Sequence, residues 1–104
     1  MIKEAEQIPA GLTVRQELYM RGLIRLGKGG DEDLVKLGIF NSLKASNHTK
    51  KSLVRAGYIE TISPRGNDEK GRYTRALYRV TSIGQKALAQ LTEIRDRLNY
   101  VRTA

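Results

Sequence analysis

The 104-residue chain has no cysteine. This rules out a disulfide framework, a thiolate metal site and a thiol nucleophile. It has one histidine, His48. A lone imidazole without cysteine cannot build the usual four-ligand zinc centre, and the serines have no other imidazole to serve as a base. Acid pairs such as Asp31 and Asp33 read as helix-start charges, and no set of residues converges on a catalytic arrangement. Gly27-Lys28-Gly29-Gly30 lacks the spacing of a phosphate-binding loop and follows no strand. No catalytic residue, cofactor or metal is therefore expected. No apolar run approaches the roughly 20 residues that cross a bilayer, and Met1–Glu6 lacks the apolar core of a signal peptide. A cysteine-free chain of this kind suits a reducing cytoplasm, which is the expected location, with association to the nucleoid if the source is prokaryotic.

Acidic residues are also few. Eleven Asp and Glu face 19 Lys and Arg, for a net charge of +8. Such a balance in a small domain favours a polyanionic partner, nucleic acid before membrane. The excess is concentrated: residues 44–79 hold nine Lys or Arg against three Asp or Glu. The hydrophobic share, 39%, is ordinary for a globular chain and allows one modest core.

Three sections are expected: a polar leader over 1–12, a domain over 13–81 and a helix over 82–104. Thr13 is a plausible N-cap, with Gln16 completing a capping box. Val14, Leu18, Tyr19, Leu23 and Leu26 then recur at helical spacing as far as the glycines at 27, 29 and 30. Asp31-Glu32-Asp33 opens a second helical segment, where acids oppose the helix dipole. Its apolar face runs through Leu34, Leu37, Phe40 and Leu43. Gly38 makes this either one bent helix or two short ones. Ser46 or Asn47 caps a third helix ending at Gly57, which suits a left-handed C-terminal cap. Leu53 and Ala56 face inward; Lys50, Lys51 and Arg55 face outward. Tyr58–Ile62 reads as a strand, 63–72 as a charged loop and Tyr73–Val80 as the returning strand, with Leu77 and Val80 as candidates to face inward. Ser82 and Gln85 form a capping-box pattern for the last helix.

Three helices followed by a hairpin with a basic tip give an α+β, mainly helical fold: a winged helix-turn-helix with a two-stranded β-hairpin wing and a C-terminal helix. A helix fits the major groove of DNA, and a basic hairpin beside it reaches the backbone or minor groove. The run Leu53-Val54-Arg55-Ala56-Gly57-Tyr58-Ile59-Glu60 resembles the recognition-helix exit of winged-helix regulators of the MarR and PadR type. Tyr78-Arg79-Val80-Thr81-Ser82-Ile83-Gly84-Gln85-Lys86-Ala87-Leu88 resembles the exit from the wing in the same group, where a strand ends in Thr and the next helix carries an early Gly. The likeness covers about residues 31–90 and implies a winged-helix fold that binds double-stranded DNA. It names no subfamily and no small-molecule effector. MarR proteins tend to be longer, with dimerising helices at both ends.

Ser46, Asn47, His48, Thr49, Lys50, Lys51, Ser52 and Arg55 are the candidate recognition-helix contacts. Asn pairs with adenine edges, hydroxyls reach bases or phosphates, and the cations reach phosphates. Arg65, Asn67, Lys70, Arg72 and Arg75 are the candidate wing contacts, with Arg65 in a turn-like setting suited to a narrow minor groove. Tyr19, Tyr58, Tyr73 and Tyr78 are expected to pack in the core or wing, and Tyr100 near an interface. In the last helix Ala87, Leu91, Ile94, Leu98 and Val101 are spaced four, three, four and three, the pattern of a short coiled-coil seam. Glu93, Arg95, Asp96 and Arg97 flank it in solvent. The seam packs either on its own domain or across a homodimer. The expected function is a dimeric, sequence-specific transcriptional regulator without enzymatic activity. The alternatives are a winged-helix adaptor that binds protein and an architectural DNA binder without sequence preference.

Overall fold

The computed structural model describes residues 12–103, with side chains described as far as residue 98. Among the described residues there are four α-helices: α1 (Val14–Leu26), α2 (Asp31–Lys36), α3 (Leu43–Ala56) and α4 (Ser82–Thr103). Between α3 and α4 lie β1 (Ile59–Ser63), β2 (Gly66–Asn67), β3 (Tyr73–Thr74) and β4 (Leu77–Val80). The fold is α+β and mainly helical, in the expected order.

α1 begins and ends as its sequence pattern requires. Thr13 Oγ1 accepts from the Gln16 N–H, and the Gln16 side chain accepts from the Thr13 N–H, so the capping box is complete. The side chains that α1 buries are Tyr19, Met20 and Leu23, with Glu17 beside them. Val14, Leu18 and Leu26, expected on the same face, are exposed. The core joins Tyr19, Met20, Leu23, Leu34, Phe40, Leu53, Ile59, Val80 and Leu88, and the Tyr19 and Phe40 rings meet edge to face at 5.7 Å.

The second segment is two helices. α2 stops at Lys36, and Gly38 takes the left-handed conformation at φ +80°, which costs glycine little. The chain then turns so that the N–H groups of Ile39 and Phe40 both reach the Leu34 carbonyl. Leu34 and Phe40 enter the core, whereas Leu37 and Leu43 remain exposed. α3 starts earlier than expected. Its N-cap is Ser42, whose hydroxyl accepts from the Ala45 N–H, so Ser46 and Asn47 lie inside the helix rather than at its cap. Gly57 closes α3 in the left-handed conformation.

The hairpin is two antiparallel ladders placed end to end, β1 with β4 and β2 with β3. Ile59 pairs with Val80, Glu60 with Arg79 and Thr61 with Tyr78, and an irregularity between Thr61 and Ser63 shifts the register. The return from Tyr73 to Val80 is therefore interrupted at Arg75 and Ala76. Val80 is buried and Leu77 half-buried. The outer edge of β4 is also occupied, because Gly29 and Tyr78 exchange both backbone hydrogen bonds, at 3.0 and 2.7 Å.

α4 is capped by Thr81, one residue before the expected Ser82. The Thr81 hydroxyl accepts from the Gly84 N–H at 3.1 Å and donates to the Gly57 carbonyl at 2.7 Å. This ties the start of α4 to the end of α3. The early glycine has a steric reason: a Cβ on Gly84 would fall on the Tyr58 carbonyl and within 2.8 Å of Val80 Cγ1. Gly84→Ala should therefore destabilise the fold by about 1–3 kcal/mol, the usual cost of overpacking. Urea unfolding checks this as a lower midpoint with unchanged slope.

Candidate nucleic-acid interface

α3 turns different faces inward and outward. Ser46, Thr49 and Leu53 are buried, with Ser46 at 0% and Thr49 at 5% exposure. On the opposite side Lys44, His48, Lys51 and Arg55 are exposed. Their spacing of four, three and four places them on one stripe of the helix. α3 contains no acidic residue. Among the described residues no Asp or Glu forms an ion pair with Lys44, Lys51 or Arg55.

The residues expected on the recognition surface divide accordingly. His48, Lys51 and Arg55 are exposed, and Asn47 is half-buried at the edge of the stripe. Ser46, Thr49, Ser52 and Lys50 have work inside the protein. Ser46 Oγ donates to Asp31 Oδ1 at 2.7 Å. Thr49 Oγ1 donates back to the Ala45 carbonyl. Ser52 Oγ donates to the Thr49 carbonyl and accepts from Gln16 Nε2 on α1. Lys50 Nζ lies 3.3 Å from Asp31 Oδ2 and 5.3 Å from the centre of the Tyr78 ring. Lys44 is the exposed cation that sequence reasoning left out of the site. Its signal was the same periodicity, hidden by starting the helix at residue 46.

Asp31 is the hub of the inner face. Its Oδ1 accepts from Tyr19 Oη at 2.9 Å and from Ser46, and its Oδ2 faces Lys50. One carboxylate thus joins α1, α2 and α3. Burial and the negative charge of Asp31 push the ionisation of Tyr19 far above the ordinary tyrosine value of about 10.

The hairpin cations also divide. Arg75 sets both Asp33 oxygens against one guanidinium nitrogen, at 2.8 and 3.1 Å, and approaches Glu32 at 3.6 Å. It fastens the middle of the hairpin, between β3 and β4, to α2. Arg72 pairs with Asp68, whose Oδ1 also accepts the backbone N–H groups of Lys70 and Arg72 and so shapes the tip. These bonds hold the Asp68 carboxyl below its usual range, the Arg72 N–H foremost, with burial opposing. Arg65, Asn67 and Lys70 are exposed. Tyr73, expected to pack, is 60% exposed. Between α3 and the hairpin lies an open cleft of about 660 Å³, whose lining includes Lys44, Asn47, Lys51, Arg65 and Tyr73.

The candidate seam on α4 is split. Ala87 is buried in its own domain and Leu91 half-buried, whereas Ile94 and Leu98 are exposed, Leu98 by 55%. Val101 and Tyr100 lie outside the residues whose side chains are described. Arg95, expected in solvent, is exposed on one side and bound on the other to the buried Glu17. Among the described residues, no helix is long and apolar enough to cross a membrane, and no group of three or more His, Asp or Glu is placed to hold a metal ion.

No protein-family model matches the chain, and no curated protein matches it. Among solved structures it is similar to that of RV1404 from Mycobacterium tuberculosis, with a TM-score of 0.70 at 21% identity. The match takes in 97% of this chain but spans 64% of the length of the other. At that identity the likeness is one of fold.

Two outcomes follow for the hub. Asp31→Ala should cost about 2–4 kcal/mol, because it leaves the Tyr19 and Ser46 hydroxyls and Lys50 without their acceptor; thermal unfolding checks this. The second concerns alkali. Below about pH 10 tyrosine is protonated folded or unfolded, and the contribution of Tyr19 is complete. Above it the unfolded chain releases a proton that the folded chain keeps, so stability falls by up to about 1.4 kcal/mol per pH unit. Urea titrations between pH 8 and 11 should show a shallower decline for Tyr19→Phe than for the unaltered protein.

Proposed function

We propose that the chain is a winged helix-turn-helix protein of the MarR and PadR type that binds double-stranded DNA as a homodimer and regulates transcription. Its action is binding rather than catalysis. The observation that carries the reading is the stripe Lys44, His48, Lys51 and Arg55 on the outer face of α3, on a helix without acids. The 14 residues of α3 make a rod about 21 Å long, suited to a major groove about 12 Å wide. Lys44 and Asn47, near its N-terminal end, are in position to meet base edges; Lys51 and Arg55 suit flanking phosphates. Asn47 brings an amide that pairs with adenine edges, and the cations of the stripe suit guanine edges. The hairpin adds Arg65, Asn67 and Lys70 across the cleft, toward the neighbouring backbone or minor groove.

Dimerisation is assigned to a second copy of α4. Ile94 and Leu98 retain the seam spacing and are partly exposed, and burying what remains open against their symmetry mates contributes about 0.5–1.5 kcal/mol each. Two recognition helices about 34 Å apart then read half-sites one helical turn apart.

Selection from a randomised duplex pool, followed by titration at several salt concentrations, tests the reading. Enrichment of a palindrome supports it. Salt-sensitive binding without enrichment replaces it with an architectural role. Absence of binding at low salt overturns it in favour of a protein-binding adaptor. Lys51→Ala and Arg55→Ala should each reduce the slope of log K against log salt by about 0.9. Thr49→Ala, which alters a buried position, should leave that slope unchanged.

A further inference from the structure

α4 has two halves held in different ways. Its first turns are fixed by packing, with Gly84, Ala87 and Leu88 buried and Leu91 half-buried. From Thr92 to Leu98 no side chain is buried. The second half is instead tied to α1 by polar groups. Arg95 grips Glu17 with two parallel hydrogen bonds, Nη1 to Oε2 at 2.7 Å and Nη2 to Oε1 at 2.6 Å. Arg21 Nε donates to the same Oε2 at 2.8 Å, and its Nη2 donates to Thr92 Oγ1 at 3.0 Å. The Glu17 side chain is only 8% exposed. Arg95 holds its carboxyl below the usual range, with burial opposing and Arg21 assisting.

An ion pair whose arginine stays half-exposed contributes little to stability, because solvent screens it. What a planar two-bond grip supplies is a fixed angle. Ile94 and Leu98, the residues assigned to the dimer contact, stand immediately beside this grip.

We propose that Glu17 is a positioning residue: by gripping Arg95 it fixes the direction of α4, and with it the separation of the two α3 helices across the dimer. The inference rests on the dimeric DNA-binding reading given above. The geometry makes it consequential. From Leu91 to Leu98, α4 is an arm about 10 Å long, so a tilt of about 10° moves the contact by about 2 Å in each copy, and the two copies together by about one base-pair step.

The absence of native cysteine allows a direct test. Spin labels on Lys28→Cys and Asp96→Cys, both exposed and outside the proposed contacts, report the direction of α4. The labelled chain is diluted in unlabelled protein so that only distances within one copy register. The expected result is one narrow distance distribution for the parent and a broadened or displaced one in Glu17→Gln. Arg95→Lys, which keeps the charge but loses the planar grip, should behave likewise and serves if Glu17→Gln folds poorly. On selected duplexes, inserting one base pair between half-sites should weaken the parent by about 10-fold or more and either variant by less than about 3-fold, with single half-site affinity within about 2-fold of the parent. A narrow, undisplaced distribution with full spacing discrimination in both variants overturns the proposal. A parent that binds no duplex overturns the functional reading and the spacing claim with it, while the distance measurement still decides whether Glu17 fixes α4.

Discussion

The structure depends on the carboxylate of Asp31. It stands at the first position of a six-residue helix, an element too short to hold its place by its own hydrogen bonds. It accepts from a tyrosine of α1 and a serine of α3 and faces a lysine whose ammonium rests over Tyr78 of β4. α1, α2, α3 and, through Lys50, β4 are thereby referred to one pair of oxygens. The outward direction of the basic stripe is a consequence of this inner anchoring, since a helix held at Ser46 and Leu53 has only one way to present Lys44, His48, Lys51 and Arg55.

The cations of this chain serve two purposes that net charge does not separate. Lys50, Arg72, Arg75 and Arg79 are held by Asp31, Asp68, Asp33 and Glu60. Lys44, Lys51 and Arg55 meet no acid among the described residues. In the first group Lys50 and Arg75 join the helices and hairpin to α2, while Arg72 and Arg79 pair within the hairpin. The second contributes the field that an approaching polyanion would sense. The high positive charge of residues 44–79 thus overstates what is available for binding, and the pairing pattern shows where the remainder lies.

Local signals carried much of the fold. The Thr13–Gln16 capping box, the glycine ends of α1 and α3 and the order of elements were legible because each depends on neighbours within a few residues. The long-range features were not. The start of α3 was misplaced because Ser42 and Ser46 are equally good caps by type, and only the demand of Asp31 for a buried hydroxyl decides between them. Ser46, Thr49 and Ser52 read as contact residues for the same reason: small polar side chains suit a groove or a core, and the choice is made by partners far along the chain. Arg75 and Arg95 had no sequence signal at all, since Asp33 and Glu17 lie 42 and 78 residues away.

The hairpin is built as two ladders rather than one. The inner ladder, β1 with β4, is locked on both sides, by the core through Ile59 and Val80 and by Gly29 along the outer edge of β4. The outer ladder consists of two residue pairs and a turn organised by its own aspartate. Arg75 marks the boundary, fastened to α2. Lineages descending from such a chain are therefore free to lengthen, shorten or recharge the outer ladder without disturbing the core, so its contacts can diversify while the body of the protein stays as it is.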